Sequence, residues 1–194
     1  EVVAANYFGD VGTHIAKCLW YFLNHCDESP PDELRGEWLG ELYTMSVQLL
    51  ETLEGEKAQQ AQTEISNLLR RMEEKDPELS KVWEETKQWS MDDFKEIYRW
   101  LDIHFDHDFY ESYVDEEGRQ MVLEGEKNGT FIRSEGAIGI DLETENLGFF
   151  MLLKSDGNTL YSTKDLALAR RKFDQFSVDR SVYVVGAEQT LHFK

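Results

Sequence analysis

Apolar residues follow two regimes along this chain: short runs of the length strands use, and long stretches in which they recur every three or four positions. The opening run is broken by Gly9-Asp10-Val11-Gly12-Thr13, after which Ile15, Ala16, Leu19, Trp20 and Leu23 return at helical spacing. Strand, Gly-rich loop and helix are therefore expected over 1–26, an arrangement that offers backbone N–H groups to an anion at a helix N-terminus. On its own such a loop is more often structural, and His14 reads equally as a packing residue or a nucleotide neighbour. Pro30-Pro31, with Gly36 and Gly40, predicts a linker over 27–40. Residues 41–101 are helical in pattern throughout. Asp76-Pro77 is an N-cap and first-turn pair leading into Leu79, Val82, Trp83 and Thr86. Ser90-Met91-Asp92-Asp93 predicts the cap of a further helix, with Phe94, Ile97, Tyr98 and Leu101 on one stripe. These stripes are read as core packing and the acids between them as a solvated face.

The pattern then changes. Residues 109–129 predict a surface helix ending at Gly125 or Gly129. Residues 130–153 are β-rich, with strands at 131–133, 137–142 and 149–154 and a polar link at 143–148. Asp156-Gly157 marks a turn, because glycine accepts φ > 0 cheaply. A short strand ending at Tyr161 is expected next, then a helix capped by Thr163, with Leu166, Ala169 and Phe173 recurring at helical spacing. A second apolar strand at 181–185 runs into a loop bearing Gly186. Tyr161 and Asp165 would thus lie where a strand meets a helix, and Gln189 just past the next strand. That edge of an open α/β sheet is where ligands bind.

Composition narrows the class. With 194 residues, 41% hydrophobic and five Trp, the chain can form a folded domain with an inserted subdomain. It has no signal-peptide pattern and no apolar run near the roughly 18 residues that span a bilayer, so no membrane role is expected. Cys18 and Cys26 would lie roughly 12 Å apart on a helix, too far to bridge, and two thiols suit a reducing, cytoplasmic setting. Of the net charge of −19, −17 falls in residues 27–127, where 28 acids face 11 bases. Such a stretch repels polyanions, so DNA is not expected as a partner.

One cluster has metal-ligand character: His104-Phe105-Asp106-His107-Asp108 offers four ligand types within five residues. A strand would send His104, Asp106 and Asp108 to one face and His107 to the other. No second cluster supplies partners, so a polar strand edge or loop is preferred and no metal is assigned. No Ser/His/Asp or Cys/His nucleophilic arrangement is evident.

Tyr161-x-x-x-Asp165-Leu166-Ala167-x-Ala169, followed by Val182-Tyr183-Val184-Val185-Gly186-x-x-Gln189-x-x-His192, resembles the catalytic core of the arginyl-tRNA synthetases, class I aminoacyl-tRNA ligases. Asn6-Tyr7-x-Gly9-Asp10-x-Gly12-Thr13 resembles the segment after that family's first ATP signature. Ser134-Glu135-Gly136-Ala137 resembles its middle segment. Four blocks in order are far more specific than any one. The resemblance implies an α/β fold, a Rossmann-like class I synthetase catalytic core with a parallel sheet, interrupted by a mainly helical acidic insertion. Residues 1–26 would be the first part of the nucleotide-binding core and 27–129 the insertion. Residues 130–194 would be a β-rich return carrying the amino-acid site.

The implied reaction is attack of the arginine carboxylate on the α-phosphate of Mg-ATP, then transfer of the arginyl group from the adenylate to tRNA. It depends on positioning and charge stabilisation, without a tightly bound metal. The resemblance assigns Tyr161, Asp165 and Gln189 to L-arginine, and Gly186 and His192 to the adenosine of ATP. A carboxylate such as Asp165 meets a guanidinium in a two-bond fork that lysine cannot reproduce. Tyr161 offers a ring face or hydroxyl, and Gln189 an amide. Read singly, these residues would be a helix-dipole acid, a core tyrosine and an exposed glutamine. Lys164, Arg170, Arg171 and Lys172 could touch phosphate, although a solvated helix face is preferred.

The family's His-x-Gly-His and Lys-Met-Ser-Lys signatures are not in this sequence. They are expected before residue 1 and after residue 194. The chain therefore reads as an internal catalytic-core fragment, inactive alone, with the main tRNA contacts elsewhere. A non-catalytic synthetase-like module binding arginine or a partner is the alternative, and a metal-dependent enzyme at 104–108 a third class.

Overall fold

Between residues 9 and 106 the three-to-four-residue periodicity resolves into four helices: α1 (Thr13–His25), α2 (Arg35–Thr52), α3 (Gly55–Glu73) and α4 (Pro77–Trp100). The computed structural model describes residues 2–191 and 193, and it divides into two compact units, residues 9–106 and residues 1–8 with 107–194. In the helical unit Ala16, Leu19 and Trp20 of α1 meet Ala61, Ile65, Leu68 and Met72 of α3 and Leu79 of α4. Trp38, Leu39 and Leu42 of α2 form a second cluster with Phe22 and Trp89. Each fully buried Leu, Ile or Met side chain among them contributes roughly 1.5–3 kcal/mol. The Trp20 indole donates to Glu64 Oε2 at 2.8 Å, and that bond holds the Glu64 carboxyl below its ordinary range. Cys18 and Cys26 are both free, and burial pushes the Cys18 thiol up to about 11.

The Asp76-Pro77 start of α4 is as expected. Asp76 accepts the Leu79 N–H at 2.9 Å and pairs with Arg71 at 3.1 Å, with Pro77 in the first turn. Two expectations fail here, and for one reason. The linker ends at Leu34, because α2 begins at Arg35, and α4 runs through Ser90 to Trp100 without a new cap. Asp93 caps α2 instead: its Oδ2 accepts the N–H groups of Gly36 at 2.7 Å and Glu37 at 3.1 Å. A Cβ on Gly36 would lie 2.8 Å from that oxygen and 3.0 Å from Ser90 Cα, so this glycine serves close helix packing. The Gly-rich loop is held by the same helix. Trp83 Nε1 donates to the Asp10 carbonyl at 2.8 Å, and Lys87 pairs with the buried Asp10 carboxylate at 3.4 Å.

In the other unit β1 (Ala5–Phe8) runs parallel to β2 (His107–Tyr110), with Ala5 opposite His107 and Phe8 opposite Tyr110. Next come α5 (Glu111–Lys127) and three antiparallel strands, β3 (Ile132–Ser134), β4 (Ala137–Leu142) and β5 (Gly148–Leu153). The chain ends with α6 (Tyr161–Phe176) and a 3-10 turn at Ala187–Leu191. Val122, Ile138, Leu152 and Leu153 form its core, with Leu166 against them.

Far from being a surface element, α5 buries Val114, Gly118, Val122 and Gly125. A Cβ on Gly118 would lie 2.5 Å from the Thr163 carbonyl oxygen, so α5 and α6 cross at glycine contact. The Ser134-Glu135-Gly136-Ala137 block is a two-residue hairpin: Glu135 and Gly136 both take φ > 0, at 49° and 87°, joining β3 to β4.

The α/β fold stands, but its parallel sheet has two strands among the described residues. The strand expected at 181–185 is irregular chain with no ladder partner there, and Val182 and Val184 are exposed. The short strand expected before Tyr161 is a single bridge from Leu153 to Thr159. No helix is long and apolar enough to cross a membrane among the described residues.

Candidate functional site

From β5 the chain turns through Gly157 (φ 83°), whose N–H donates to the Lys154 carbonyl at 2.9 Å, and enters α6 at Tyr161. The helix starts two residues earlier than its pattern predicted, because Thr163 acts from the third helical position: its Oγ1 accepts the Leu160 N–H at 3.1 Å. Ser162, Thr163, Ala167 and Leu168 are buried, while Phe173 is exposed.

The three residues between Tyr161 and Asp165 each fasten the helix start to another element. Ser162 Oγ donates to the Met151 carbonyl at 2.8 Å, and Thr163 Oγ1 donates to the Leu152 carbonyl, both on β5. Lys164 Nζ reaches Glu111 Oε2 of α5 at 2.9 Å and lies 3.8 Å from Asp115 Oδ1. Thr159 Oγ1 in turn donates to Asp115 Oδ1 at 2.5 Å. Tyr161 and Asp165 bracket these anchors, four residues apart and so on one helix face. Tyr161 is 68% exposed and Asp165 half-buried.

Lys164 is therefore not on a solvated face. Its side chain is 13% exposed, and its ammonium lies 5.7 Å from the centre of the Tyr161 ring. Arg171 pairs with Glu117 of α5 at 2.7 Å, and Arg170 with Asp174 at 3.6 Å. Lys172 Nζ stands 3.6 Å over the Tyr183 ring, which ties the 181–185 segment to α6. The basic run is thus engaged within the chain. Glu111, Asp115 and Thr159 were not singled out from the sequence. Glu111 and Asp115 have helical i, i+4 spacing, but nothing local reveals a lysine 53 positions away.

Gly186 and Gln189 are exposed on the final segment, where the Gln189 N–H donates to the Gly186 carbonyl at 3.0 Å. His192 lies outside the described residues. The structure thus brings Tyr161 and Asp165 together on one anchored turn, with Gly186 and Gln189 on a separate stretch. A cavity of about 640 Å³ opens beside the Glu135-Gly136 hairpin, lined by Ser134, Glu135, Phe149, Met151 and Lys154 among others. Neither Tyr161 nor Asp165 lines it. In the 104–108 segment His104 Nε2 lies 3.6 Å from Asp106 Oδ1, and no three metal-ligating side chains gather among the described residues.

Over its whole length, residues 1–194, the chain matches the family described as tRNA synthetases class I (R), catalytic domain. It belongs to that family. The arginine–tRNA ligase of Bdellovibrio bacteriovorus is 44% identical over 195 residues, covering all of this chain and 34% of the relative. That of Bacteroides thetaiotaomicron is 32% identical over 210 residues, covering all of this chain and 35% of the relative. The chain therefore spans about a third of the length of these curated relatives. Among solved structures, arginyl-tRNA synthetase from Plasmodium falciparum superposes with a TM-score of 0.75 at 23% identity, over 98% of this chain and 31% of that one. A Campylobacter jejuni protein described as a putative arginyl-tRNA synthetase gives 0.56 at 15% identity, over 97% and 40%. These structural likenesses show a shared fold, in agreement with the family match.

Proposed function

We propose that this chain is the part of an arginine–tRNA ligase that reads the arginine side chain. The observation that carries the reading is the start of α6, where Ser162, Thr163 and Lys164 are each fastened to β5 or α5 and Tyr161 and Asp165 flank them. A carboxylate that recognises a guanidinium by a two-bond fork must be held at a fixed angle, and this turn supplies the fixing. Asp165 takes the guanidinium, Tyr161 lies along it, and Gln189 binds the amino acid's polar groups. Gly186 and His192 border the adenosine of ATP, which enters as its magnesium complex and is a substrate. ATP-dependent activation of arginine and its transfer to tRNA belong to the longer protein, in the cytoplasm. The charge distribution supports main tRNA contacts elsewhere, since 22 acids face 10 bases in residues 9–106.

Calorimetric titration of the chain with L-arginine, with L-lysine as control and Asp165→Asn as the variant, tests the reading. Arginine-selective binding that the variant lowers at least about tenfold is expected. Equal binding by both proteins would remove Asp165 from the site. A second reading, a module that binds arginine without catalysis, gives the same titration. It is separated by joining the chain to the rest of its parent polypeptide and measuring arginine-dependent pyrophosphate exchange.

A further inference from the structure

The contacts of Lys164 exceed what anchoring a helix requires. Two carboxylates of α5 and the Tyr161 ring converge on its ammonium, at 2.9 Å, 3.8 Å and 5.7 Å. The Glu111 side chain is only 9% exposed, and Asp115 is oriented by the Thr159 hydroxyl. A compact primary ammonium on a four-carbon stem suits such a position, because it satisfies oxygens and a ring face from one point charge. The occupant is the chain's own lysine, and it touches the same tyrosine that the arginine reading assigns to the substrate.

We propose that Lys164 is a specificity-determining residue. By filling the ammonium position among Glu111, Asp115 and Tyr161 from within the chain, it denies that position to a free lysine and leaves Asp165 as the carboxylate a substrate cation meets. This rests on the assignment of Tyr161 and Asp165 to arginine. Two effects act in the same direction. Asp165 alone favours arginine, because its fork matches a planar guanidinium and not an ammonium. Without the Lys164 charge, Glu111 and Asp115 would attract any cation, and an ammonium needs no fork geometry to use them. Loss of Lys164 is therefore felt as lost discrimination rather than as uniformly weaker binding.

The test is calorimetric titration of the wild-type chain and of Lys164→Met, Lys164→Gln and Lys164→Arg with L-arginine and L-lysine, with folding checked by circular dichroism. In Lys164→Met the ratio of the lysine Kd to the arginine Kd falls at least about tenfold, mainly because lysine binds more tightly. Lys164→Arg keeps the ratio within about twofold. Lys164→Gln keeps a hydrogen-bond donor to Glu111 and serves if the methionine variant does not fold; its ratio falls in the same direction. A ratio unchanged within about twofold in a folded Met or Gln variant overturns the proposal. So does parallel weakening of both ligands, which assigns Lys164 a purely structural part. A wild type that binds neither amino acid overturns the arginine reading, and this proposal with it. A selective wild type with an unmoved variant ratio overturns this proposal alone.

Discussion

The two stretches that carry the assigned arginine contacts are built in opposite ways. The turn from Leu160 to Asp165 is fastened within the chain: two hydroxyls bond carbonyls of β5 and an ammonium is clamped by α5. The stretch from 182 to 190 is exposed, with Val184 95% accessible, irregular up to Gly186 and a 3-10 turn from Ala187, and its contacts to α6 include one lysine–tyrosine pair. The first stretch needs only partners that its own hairpin and the preceding helix supply. The second carries an apolar strand sequence, and a strand exists only when a neighbour accepts its backbone groups. A binding position on the first is held by the local fold, whereas one on the second depends on what pairs with it.

The sharpest way to break this contrast is at the α5–α6 crossing. Gly118→Ala places a Cβ against the Thr163 backbone, and backbone cannot yield as a side chain tip does. The helices must separate, with an expected loss of about 3 kcal/mol in denaturant unfolding, more than the gain of up to about 1 kcal/mol from alanine's helix propensity. If the assignment of Tyr161 and Asp165 is right, arginine binding weakens with it. Unchanged stability would mean that α6 is not seated on α5 as described.

Next in size is Thr163→Val. It keeps the shape but removes the hydroxyl that accepts from Leu160 and donates to Leu152, leaving a buried carbonyl without that donor. A loss of about 2 kcal/mol is expected from denaturation curves, and the helix start frays. A neutral result would move the anchoring onto Ser162 and Lys164.

Much of the local structure was legible in the sequence, and the reason is distance along the chain. The Asp156-Gly157 turn, the Asp76-Pro77 start of α4 and the β4–β5 hairpin arise from residues that touch near neighbours. Sequence reading failed where one residue serves a distant one. Asp93 looks like the cap of its own helix and caps α2, 56 positions away. Gly36 looks like a linker residue and is a packing contact. Lys164 looks solvated because Glu111 is invisible from it. The strand at 181–185 failed from the opposite side: its pattern is right for a strand, but pattern does not supply a ladder partner. The candidate site divides the same way. Tyr161 and Asp165 are proposed from the family resemblance, while the lysine clamp between them needed the fold.

A smaller effect is expected in acid. Glu126 of α5 binds Arg133 of β3 through two bonds of 2.7 and 2.9 Å, and the guanidinium holds its carboxyl below the ordinary range. The unfolded carboxyl titrates near about 4.3. A depressed folded value means that the stabilisation is fully present above that pH and is lost as the pH falls through the folded value. Arg133→Ala should therefore flatten the fall in melting temperature below about pH 4 and leave its slope near neutrality unchanged. An identical acid profile would show that the pair contributes nothing measurable, as many exposed pairs do.

The smallest effects belong to the other stretch. The nearest atoms a Cβ on Gly186 would meet are those of the Glu188 carboxylate, the far end of an exposed side chain that can swing away. Gly186→Ala and Gln189→Ala should each change stability by less than about 0.5 kcal/mol, although Gln189→Ala weakens arginine binding if the assignment is right. Backbone hydrogen exchange sets the scale: amides at 182–185 should exchange close to the unprotected rate, while the β4–β5 ladder as a whole stays protected. Protection across 182–185 would erase the distinction, because it would require hydrogen-bond partners there that the described residues do not provide.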